Sequence, residues 1–448
     1  MQPHGRTYSV LAYGAAADGE TNDAPAIQRA IDAAAAAGGG RVLVPEGARV
    51  RAGSFELKSR IDLHIAEGAL LLSATDIESF PRKVFSFGEE SEKRLWIGAR
   101  HAEDISLSGT GTIDGQCRAF ALGENEYSFS PTVPWRPALT CFEDVKRICV
   151  SDLTFRDAAN WTLHFSGCED VEVLRVKIFN NLKFPNADGI DPDHCKRVRI
   201  SGCHIVSADD CICLKNTASY TQYGDCEDIG IRDCRLESAS AAFKIGSESH
   251  NDFRRVRMHG CVIERSNRGL AIQLRDGGSV EDIEFRDIRI QTQRYSPNWW
   301  GAGEAIYVTA LPRTEKTEVG SIRNIRFHNI HCEGENGLVV YGDPGDRIRG
   351  LHFENVHIGI LRHTKWPSGL LDLRPFQGGY APRNASPAGE PTPWGYPAER
   401  EPAAFSFYGA DDIQFNKLTG SLPENDPRKW ELMHADRPLP LPVLSPPP

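Results

Sequence analysis

Short apolar segments recur along this chain, each with a β-branched or aliphatic residue at an equivalent position. Apolar and polar residues alternate within the segments, which predicts strands with one buried face, and Gly, Asn and Asp lie between them. One such unit cannot bury its apolar face alone, so the pattern predicts a solenoid whose coils cover one another. The equivalent positions are Ile148, Val171, Val198, Ile229, Val256, Ile283, Ile325, Leu351 and Ile413.

The pattern favours a right-handed parallel β-helix over other solenoids. The Leu-x-x-Leu-x-Leu grammar of leucine-rich repeats is absent, and the segments lack the helical periodicity of α-solenoids. The expected fold is therefore all-β, with one domain over residues 1–448. We expect an N-terminal cap at about 7–60, coils at about 61–360, and a long loop, terminal coil and tail at about 361–448.

An N-terminal capping helix is predicted between a start signal and a stop signal. The start is the segment Asn22-Asp23-Ala24-Pro25, and the stop is Gly38-Gly39-Gly40. Ile27, Ile31 and neighbouring alanines form an apolar stripe on the segment between them. Such a helix would cover the open end of the solenoid, where a terminal coil otherwise exposes unpaired backbone.

Alignment of the strands that follow each repeat predicts which side chains point into the coils. Ile190, Ile212, Phe243 and Leu270 form one apolar column, and Pro192, Leu214, Ile245 and Ile272 form a second. Since side chains alternate between the two faces of a strand, the residues between these columns are expected to face solvent. These outward residues are Asp191, Cys213, Lys244 and Ala271.

Three carboxylates are predicted to converge on this surface. Asp188 and Asp210 share a column at the start of the strand, and Asp209 lies beside them. Adjacent coils are roughly 4.8 Å apart, and like charges at close range divide carboxyl groups into a proton donor and a base. This arrangement predicts a glycosidase, whereas the alternative is that each acid merely shapes a turn.

Charge and composition exclude several other functions. The formal net charge of −10 argues against a nucleic-acid partner, and the apolar runs are too short to cross a membrane. The chain as given lacks an apolar signal core at its N-terminus, which predicts a cytoplasmic protein, or a secreted or periplasmic one if a leader has been removed. The sequence does not indicate an oligomeric state.

The twelve cysteines follow the repeat instead of a disulfide framework. Cys203, Cys234 and Cys261 each lie at the same offset after an equivalent position, so we expect them to pack as small apolar residues, as in a reducing compartment. No Cys-x-x-Cys or His-x-x-x-His pattern predicts a metal site.

The segment Gly19 to Ile27, with Val44-Pro45-Glu46-Gly47 after it, resembles the opening of pectin-active β-helix proteins. The chain from about residue 7 to about residue 360 resembles glycoside hydrolase family 28, the polygalacturonase family. Asn186-Ala187-Asp188 matches the family's Asn-Thr-Asp motif with Ala in place of Thr, and Asp209-Asp210 matches its Asp-Asp pair.

The resemblance implies an inverting hydrolase that needs no cofactor. Asp209 would be the general acid, and Asp188 with Asp210 would orient and deprotonate the attacking water. In inverting enzymes the acid and base carboxyls are commonly about 6.5–9.5 Å apart, and we expect that spacing or a somewhat shorter one in a small cleft.

Two family motifs are lost in this chain. The Gly-His-Gly motif aligns with Ser240-Ala241-Ala242, and the Arg-Ile-Lys motif, whose cations hold the substrate carboxylate, aligns with Ala271-Ile272-Gln273. An anionic sugar needs a paired cation when it leaves water, so long unmodified galacturonan is not the expected preferred substrate. The alternative is that Lys244 and Arg268 rebuild the carboxylate clamp.

Further residues are candidates for substrate binding. Glu248 or His250 would replace the missing His or contact sugar hydroxyls, Arg275 would bind substrate or shape a turn, and adjacent Trp residues would form a sugar platform. The complete predicted set is Asn186, Asp191, Lys244, Glu248, His250, Arg268, Gln273, Arg275, Trp299 and Trp300.

The expected function is hydrolysis of a pectic saccharide of galacturonan or rhamnogalacturonan type. Two alternatives remain at this point. A polysaccharide lyase on the same fold would favour a Lys or Arg base and often calcium, and a noncatalytic carbohydrate-binding solenoid would retain binding without turnover.

Overall fold

The computed structural model describes residues 5–81, 94–296, 301–314, 316–342, 346–366, 404–424, 426, 433–434 and 437–438. They belong to two compact units, residues 1–209 and residues 210–448. The prediction of one continuous domain stays a prediction. Among the described residues, no helix is both long enough and apolar enough to span a membrane.

The first unit consists mainly of short strands. The strands are β1 (Thr7–Ser9), β2 (Asp18–Asn22), β3 (Gly40–Val44), β4 (Arg49–Ala52), β5 (Phe55–Glu56), β6 (Ile61–Ile65), β7 (Leu70–Ser73), β8 (Arg94–Ser108), β9 (Thr112–Asp114), β10 (Pro137–Ser151), β11 (Thr154–Arg156), β12 (Leu163–Ser166), β13 (Glu169–Leu174), β14 (Lys177–Phe179), β15 (Ile190–Asp193), β16 (Lys196–Ser201) and β17 (His204–Ser207). Short 3₁₀ helices span Val10–Tyr13, Ile77–Ser79 and Cys117–Phe120.

One α-helix, α1, spans Ala24–Ala36 at the predicted position. Its buried face consists of Ile27, Ile31 and alanines, and it contacts β1, β3 and β5. Gly38 and Gly39 follow with φ of +93° and +121°, conformations that favour glycine and end the helix. The role of α1 as a cap of the solenoid stays a prediction.

The strands of the first unit pair in parallel with the predicted register. Ile148 lies opposite Val171, and Val171 lies opposite Val198. In the strands that lead to the candidate acids, Cys141 lies opposite His164 and His164 lies opposite Asp191. Each coil therefore repeats the previous one, which is the arrangement of a parallel β-helix.

The second unit continues with the same kind of element. Its strands are β18 (Ile212–Asn216), β19 (Cys226–Arg232), β20 (Arg235–Ser238), β21 (Ala241–Ser249), β22 (Phe253–His259), β23 (Val262–Ser266), β24 (Arg268–Leu274), β25 (Val280–Thr292), β26 (Glu304–Ala310), β27 (Ile322–Gly334), β28 (Asn336–Gly342), β29 (Ile348–Ile360), β30 (Phe405–Tyr408), β31 (Ala410–Ser421), β32 (Met433–His434) and β33 (Arg437–Pro438). A short 3₁₀ helix spans Ala218–Tyr223.

The register of the second unit also follows the prediction. Five parallel pairings place Ile229, Val256, Ile283, Ile325, Leu351 and Ile413 in one column. In the neighbouring strands Ile212 lies opposite Phe243, which lies opposite Leu270. These side chains are buried except for the half-buried Ile413, so the apolar residues of the repeat form the core inside the coils.

The core contains ladders of like residues. Phe327 stacks on Phe285 with ring centroids 5.2 Å apart and on Phe353 with centroids 4.9 Å apart. All twelve cysteines are free thiols, and all but Cys149 are buried. The cysteines thus pack with the core, as their position in the repeat predicts.

A second ladder runs along the first residues of strands β13, β16, β19 and β22, outside the core. Asp170 and Arg197 both have positive φ, and the Arg197 Nε donates to the Asp170 Oδ1 at 2.7 Å. Asp228 and Arg255 repeat this arrangement in the second unit at 2.6 Å. These side chains are about half exposed, so the pairs add little stability but match the register of consecutive coils.

Candidate active site

The turn that carries Asp188 is fixed by a buried arginine of the first unit. Arg136 donates from Nη1 to the carbonyls of Ala159 at 3.0 Å and Pro185 at 2.6 Å, and from Nη2 to the Asn186 Oδ1 at 2.9 Å. Asn186 has φ +58°, and Asp188 is only 2% exposed. Arg136 therefore holds the backbone immediately before the first candidate acid.

The segments that carry Asp188 and Asp209 meet through their alanines. Ser207 Oγ and Asn180 Nδ2 both donate to the carbonyl of Ala187. Ala187 and Ala208 are buried in one apolar cluster with Phe120, Phe129 and Phe184. Small side chains at these two positions allow close packing, which brings the two acidic segments together.

The three predicted acids lie close to one another. Carboxylate oxygens of Asp188, Asp209 and Asp210 all lie within 4.8 Å of one another, and all three residues are buried. In the part of the chain that the structure describes, this is the one group of acidic, histidine or cysteine side chains spaced to hold a metal ion. Three carboxylates this close can divide into proton donor and base.

Asp210 is surrounded by donors from the second unit. Its Oδ2 accepts from the Lys244 Nζ at 2.8 Å, and its Oδ1 accepts from the Ser240 Oγ at 3.0 Å and the Ala241 backbone N–H at 3.2 Å. Burial alone would raise the pKa of Asp210, but the charges of Lys244 and Lys215 and these hydrogen bonds outweigh it and lower the pKa. Asp210 is therefore kept as a carboxylate.

The expectation that the outward column faces solvent was wrong. Asp191, Cys213 and Ala271 are fully buried, and only Lys244 is partly exposed, with 17% of its side chain accessible. The alternation of the strands was read correctly, but the outer face of these strands is itself covered. Ala271, for example, packs with Ala241, Tyr307 and Val339.

Arg268 lies in a buried cluster and not at the surface. It is 3% exposed, its Nε lies 3.3 Å from the Glu304 Oε2, and its guanidinium lies 3.9 Å above the ring centroid of Tyr307. Gln273 in the same strand is half-buried. The structure thus pairs Lys244 with Asp210 and Arg268 with Glu304, two separate ion pairs.

The loop after β21 brings His250 to another ion pair. Asp276 accepts from the Arg313 Nε at 2.7 Å and from the Ser249 N–H at 3.0 Å, and the His250 Nε2 lies 3.8 Å from its Oδ2. Burial would raise the pKa of Asp276, but the hydrogen bond and charge of Arg313 lower it. Glu248 is half-buried in the same strand.

Arg275 is buried beside this pair, with 2% of its surface exposed. Its Nη1 donates to the Leu274 carbonyl at 3.1 Å and to the Thr309 Oγ1 at 3.0 Å. Trp299 and Trp300, the predicted sugar platform, lie outside the described residues.

The model of the glycosyl hydrolases family 28 matches residues 55–365. The chain belongs to family 28. Asp188, Asp209 and Asp210 all lie within the stretch that the family model matches.

Relatives of family 28 support the same assignment. The chain is 27% identical to a probable polygalacturonase of Vitis vinifera over 404 residues, which is 84% of this chain and 79% of the relative. Its fold is similar to that of a Yersinia enterocolitica family 28 exopolygalacturonase, with a TM-score of 0.71 and 16% identity over 97% of this chain and 78% of that chain.

The fold is also similar to that of PfbA, a surface adhesin of Streptococcus pneumoniae. The TM-score is 0.53 at 16% identity, and the match covers 93% of this chain and 90% of that chain. This likeness concerns the fold alone.

Several residues of this family 28 site carry no signal in the repeat. Arg136 comes from a loop far from Asp188 in sequence, and Glu304 and Arg313 lie within the long stretch between the repeat positions Ile283 and Ile325. Lys215 lies two residues after Cys213, on the same side of the strand, and alternation alone would have indicated it.

Proposed function

We propose that this family 28 protein is an inverting glycoside hydrolase that cleaves a pectic saccharide. Membership of family 28 makes the protein a polygalacturonase-like hydrolase. The proposal of an inverting mechanism rests on the three clustered acids and on the ion pair between Lys244 and Asp210.

The ion pair supports a division of labour among the acids. A carboxylate paired with an ammonium stays ionised and accepts a proton from water, as a general base must. Three negative charges at this distance repel one another, so one of the three acids is expected to hold a proton. We assign that proton to Asp209, which acts as the general acid. Asp188 and Asp210 then orient and deprotonate the attacking water.

Lys244 in this proposal takes a role that differs from the predicted one. Ala241 occupies the position of the family's missing His, and it offers only a backbone N–H to Asp210. The Lys244 ammonium supplies the positive charge next to that carboxylate instead. Lys244 then stabilises the carboxylate of the base, Asp210, and does not bind the substrate carboxylate.

The substrate proposal follows from the ion pairs that the cationic side chains near the acids already form. Lys244 pairs with Asp210 and Arg268 pairs with Glu304, so neither replaces the two cations lost at Ala271 and Gln273. Long unmodified galacturonan has a carboxylate on every sugar and is not the substrate that we expect to be cleaved best. A rhamnogalacturonan-type oligosaccharide or a modified galacturonan fits better.

Two alternatives make different predictions. The acidic cluster has a spacing that suits a cation, which is the observation that favours a calcium-dependent lyase. The altered motifs at Ala241, Ala271 and Gln273, and the fold shared with an adhesin, favour a noncatalytic binding protein.

One experiment separates the three. The protein is incubated with defined pectic oligosaccharides, with calcium or with EDTA, and products are followed by reducing-end formation and ultraviolet absorbance. Hydrolysis predicts new reducing ends without absorbance and without a calcium requirement. An absorbing unsaturated product would indicate a lyase, and binding without any product would indicate a noncatalytic role.

A further inference from the structure

Arg275 is unusual because it is a large, charged side chain with almost no exposed surface. It is 2% exposed and ranks among the largest fully buried side chains. It follows β24 directly, two residues after Gln273 and four after Ala271, so alternation places all three on one side of the chain. The two earlier positions are those where the family's cations are missing.

Among the residues that the structure describes, Arg275 has no carboxylate in direct contact, although Glu248 adds a negative charge near Arg313. Arg268 pairs with Glu304 at 3.3 Å, and Arg313 pairs with Asp276 at 2.7 Å. Arg275 donates to the neutral oxygens of Leu274 and Thr309, is hydrogen-bonded to the Tyr307 side chain, and makes no ion pair with any residue in the described part of the chain. Of these three guanidiniums, Arg275 is the one without a carboxylate.

A buried charge without a counter-charge is costly, and proteins rarely keep one without a reason. Burial lowers the pKa of Arg275, and the nearby charges of Arg313 and Arg268 lower it further, whereas Tyr307 raises it. An arginine nevertheless stays charged at any working pH because its ordinary pKa is so high. The Arg275 guanidinium is therefore a buried positive charge without a directly paired carboxylate from the described residues, and an anion in contact with it would neutralise it.

We propose that Arg275 binds the carboxylate of one acidic sugar in the substrate, in place of the two cations lost at Ala271 and Gln273. A guanidinium matches a carboxylate with two parallel hydrogen bonds, and exclusion of water strengthens that contact. The inference rests on the proposed function, and it narrows the substrate to a saccharide with one uronate at this position.

A single buried guanidinium differs from an open row of cations. It recognises one uronate and leaves the neighbouring sugars neutral, which agrees with an alternating or end-modified pectic saccharide. This refines the expectation that long unmodified galacturonan is not preferred.

The test measures the midpoint of thermal unfolding. Replacement of a residue kept for a ligand should not lower this midpoint, whereas replacement of a structural residue should lower it. If Arg275 is kept for a ligand, Arg275→Gln should leave the midpoint of the free protein unchanged or raise it. Galacturonate should raise the midpoint of the wild type and not that of Arg275→Gln, and galactose should affect neither. Arg265→Gln is the matched control, since Arg265 is 52% exposed and pairs with Glu237.

Two results would overturn the inference. One is a lower midpoint for free Arg275→Gln with an unchanged galacturonate shift, which would make Arg275 a structural residue. The other is an equal, Arg275-dependent shift with sulfate, which would indicate nonspecific anion binding.

Kinetics give a second readout. The preference for an acidic oligosaccharide over its methyl ester, as a ratio of kcat/KM, should fall about 10- to 100-fold in Arg275→Gln, the range expected for a charge-assisted hydrogen bond. An unchanged ratio would contradict the inference. The thermal assay needs no turnover, so a wild type that binds galacturonate through Arg275 but hydrolyses nothing would contradict the proposed function alone.

Discussion

Replacement of Lys244 by methionine tests the assignment of Asp210 as a base. The change removes the ammonium 2.8 Å from the Asp210 carboxylate and keeps most of the apolar stem. Because Lys244 is 17% and Asp210 only 1% exposed, solvent screens the pair weakly. Removal of one partner from a buried ion pair costs about 3–5 kcal/mol. We expect the lower end, since Ser240 and the Ala241 N–H still donate to Asp210.

The cost should depend on pH in a defined direction. In the wild type the pKa of Asp210 is lowered, so its contribution to stability is present above the ordinary carboxyl pKa, about 3.9, and is lost as the pH falls through the folded-state value. Without Lys244, burial is less well opposed and the pKa rises. The difference in stability should therefore be full at neutral pH and should shrink in acid.

Urea unfolding at pH 7 and pH 4 measures that difference, and the pH profile of kcat/KM gives the catalytic counterpart. The acid limb of the profile should move to higher pH in Lys244→Met, because the base becomes protonated earlier. Lys244→Arg keeps the charge and should retain the wild-type limb. A loss of stability that is the same at both pH values, with an unmoved acid limb, would refute the assignment.

Two further substitutions address the other parts of the site. Asp209→Asn should reduce hydrolysis by about 10²–10⁴-fold without loss of folding, because an amide keeps the shape but delivers no proton, and activity within about threefold of wild type would place the acid elsewhere. Arg136→Ala should lower kcat more than it raises KM, because the turn before Asp188 loses three hydrogen bonds. Added guanidinium should restore part of that kcat, and a parallel loss of stability without any such rescue would make Arg136 merely structural.

The sequence predicted the coils well because their physics is local and repeated. Alternation and the recurrence of Ile or Val placed Ile229, Val256 and Ile283 in one column, and the structure confirms this register. The helix Ala24–Ala36 was equally predictable, since an apolar stripe ends at three glycines.

Burial was less predictable than direction. Asp191 and Ala271 point away from the core as alternation required, but both are fully covered. The cover comes from residues such as Tyr307 in other coils, and the periodicity of one strand contains no information about it.

The acids of the site were predictable and their partners were not. Asp188, Asp209 and Asp210 were identified from the repeat and from the family resemblance, and they do converge. Arg136 reaches Asn186 from a loop without a repeat pattern, and Lys244 was expected to serve the substrate instead of Asp210. Long side chains can reach several partners, so their choice depends on distances that only coordinates provide.

The configuration of the first product tests the central claim most directly. The nearest oxygens of the three acids are within 4.8 Å, which is shorter than the roughly 6.5–9.5 Å common between inverting carboxyl groups. Because this spacing does not by itself identify an inverting enzyme, the stereochemistry of the product is an independent test. Proton NMR of a defined pectic oligosaccharide, recorded from the first minutes of cleavage, reports the anomer before mutarotation. The account predicts an inverted anomer from direct attack of water. A retained anomer, or an unsaturated product, would contradict it.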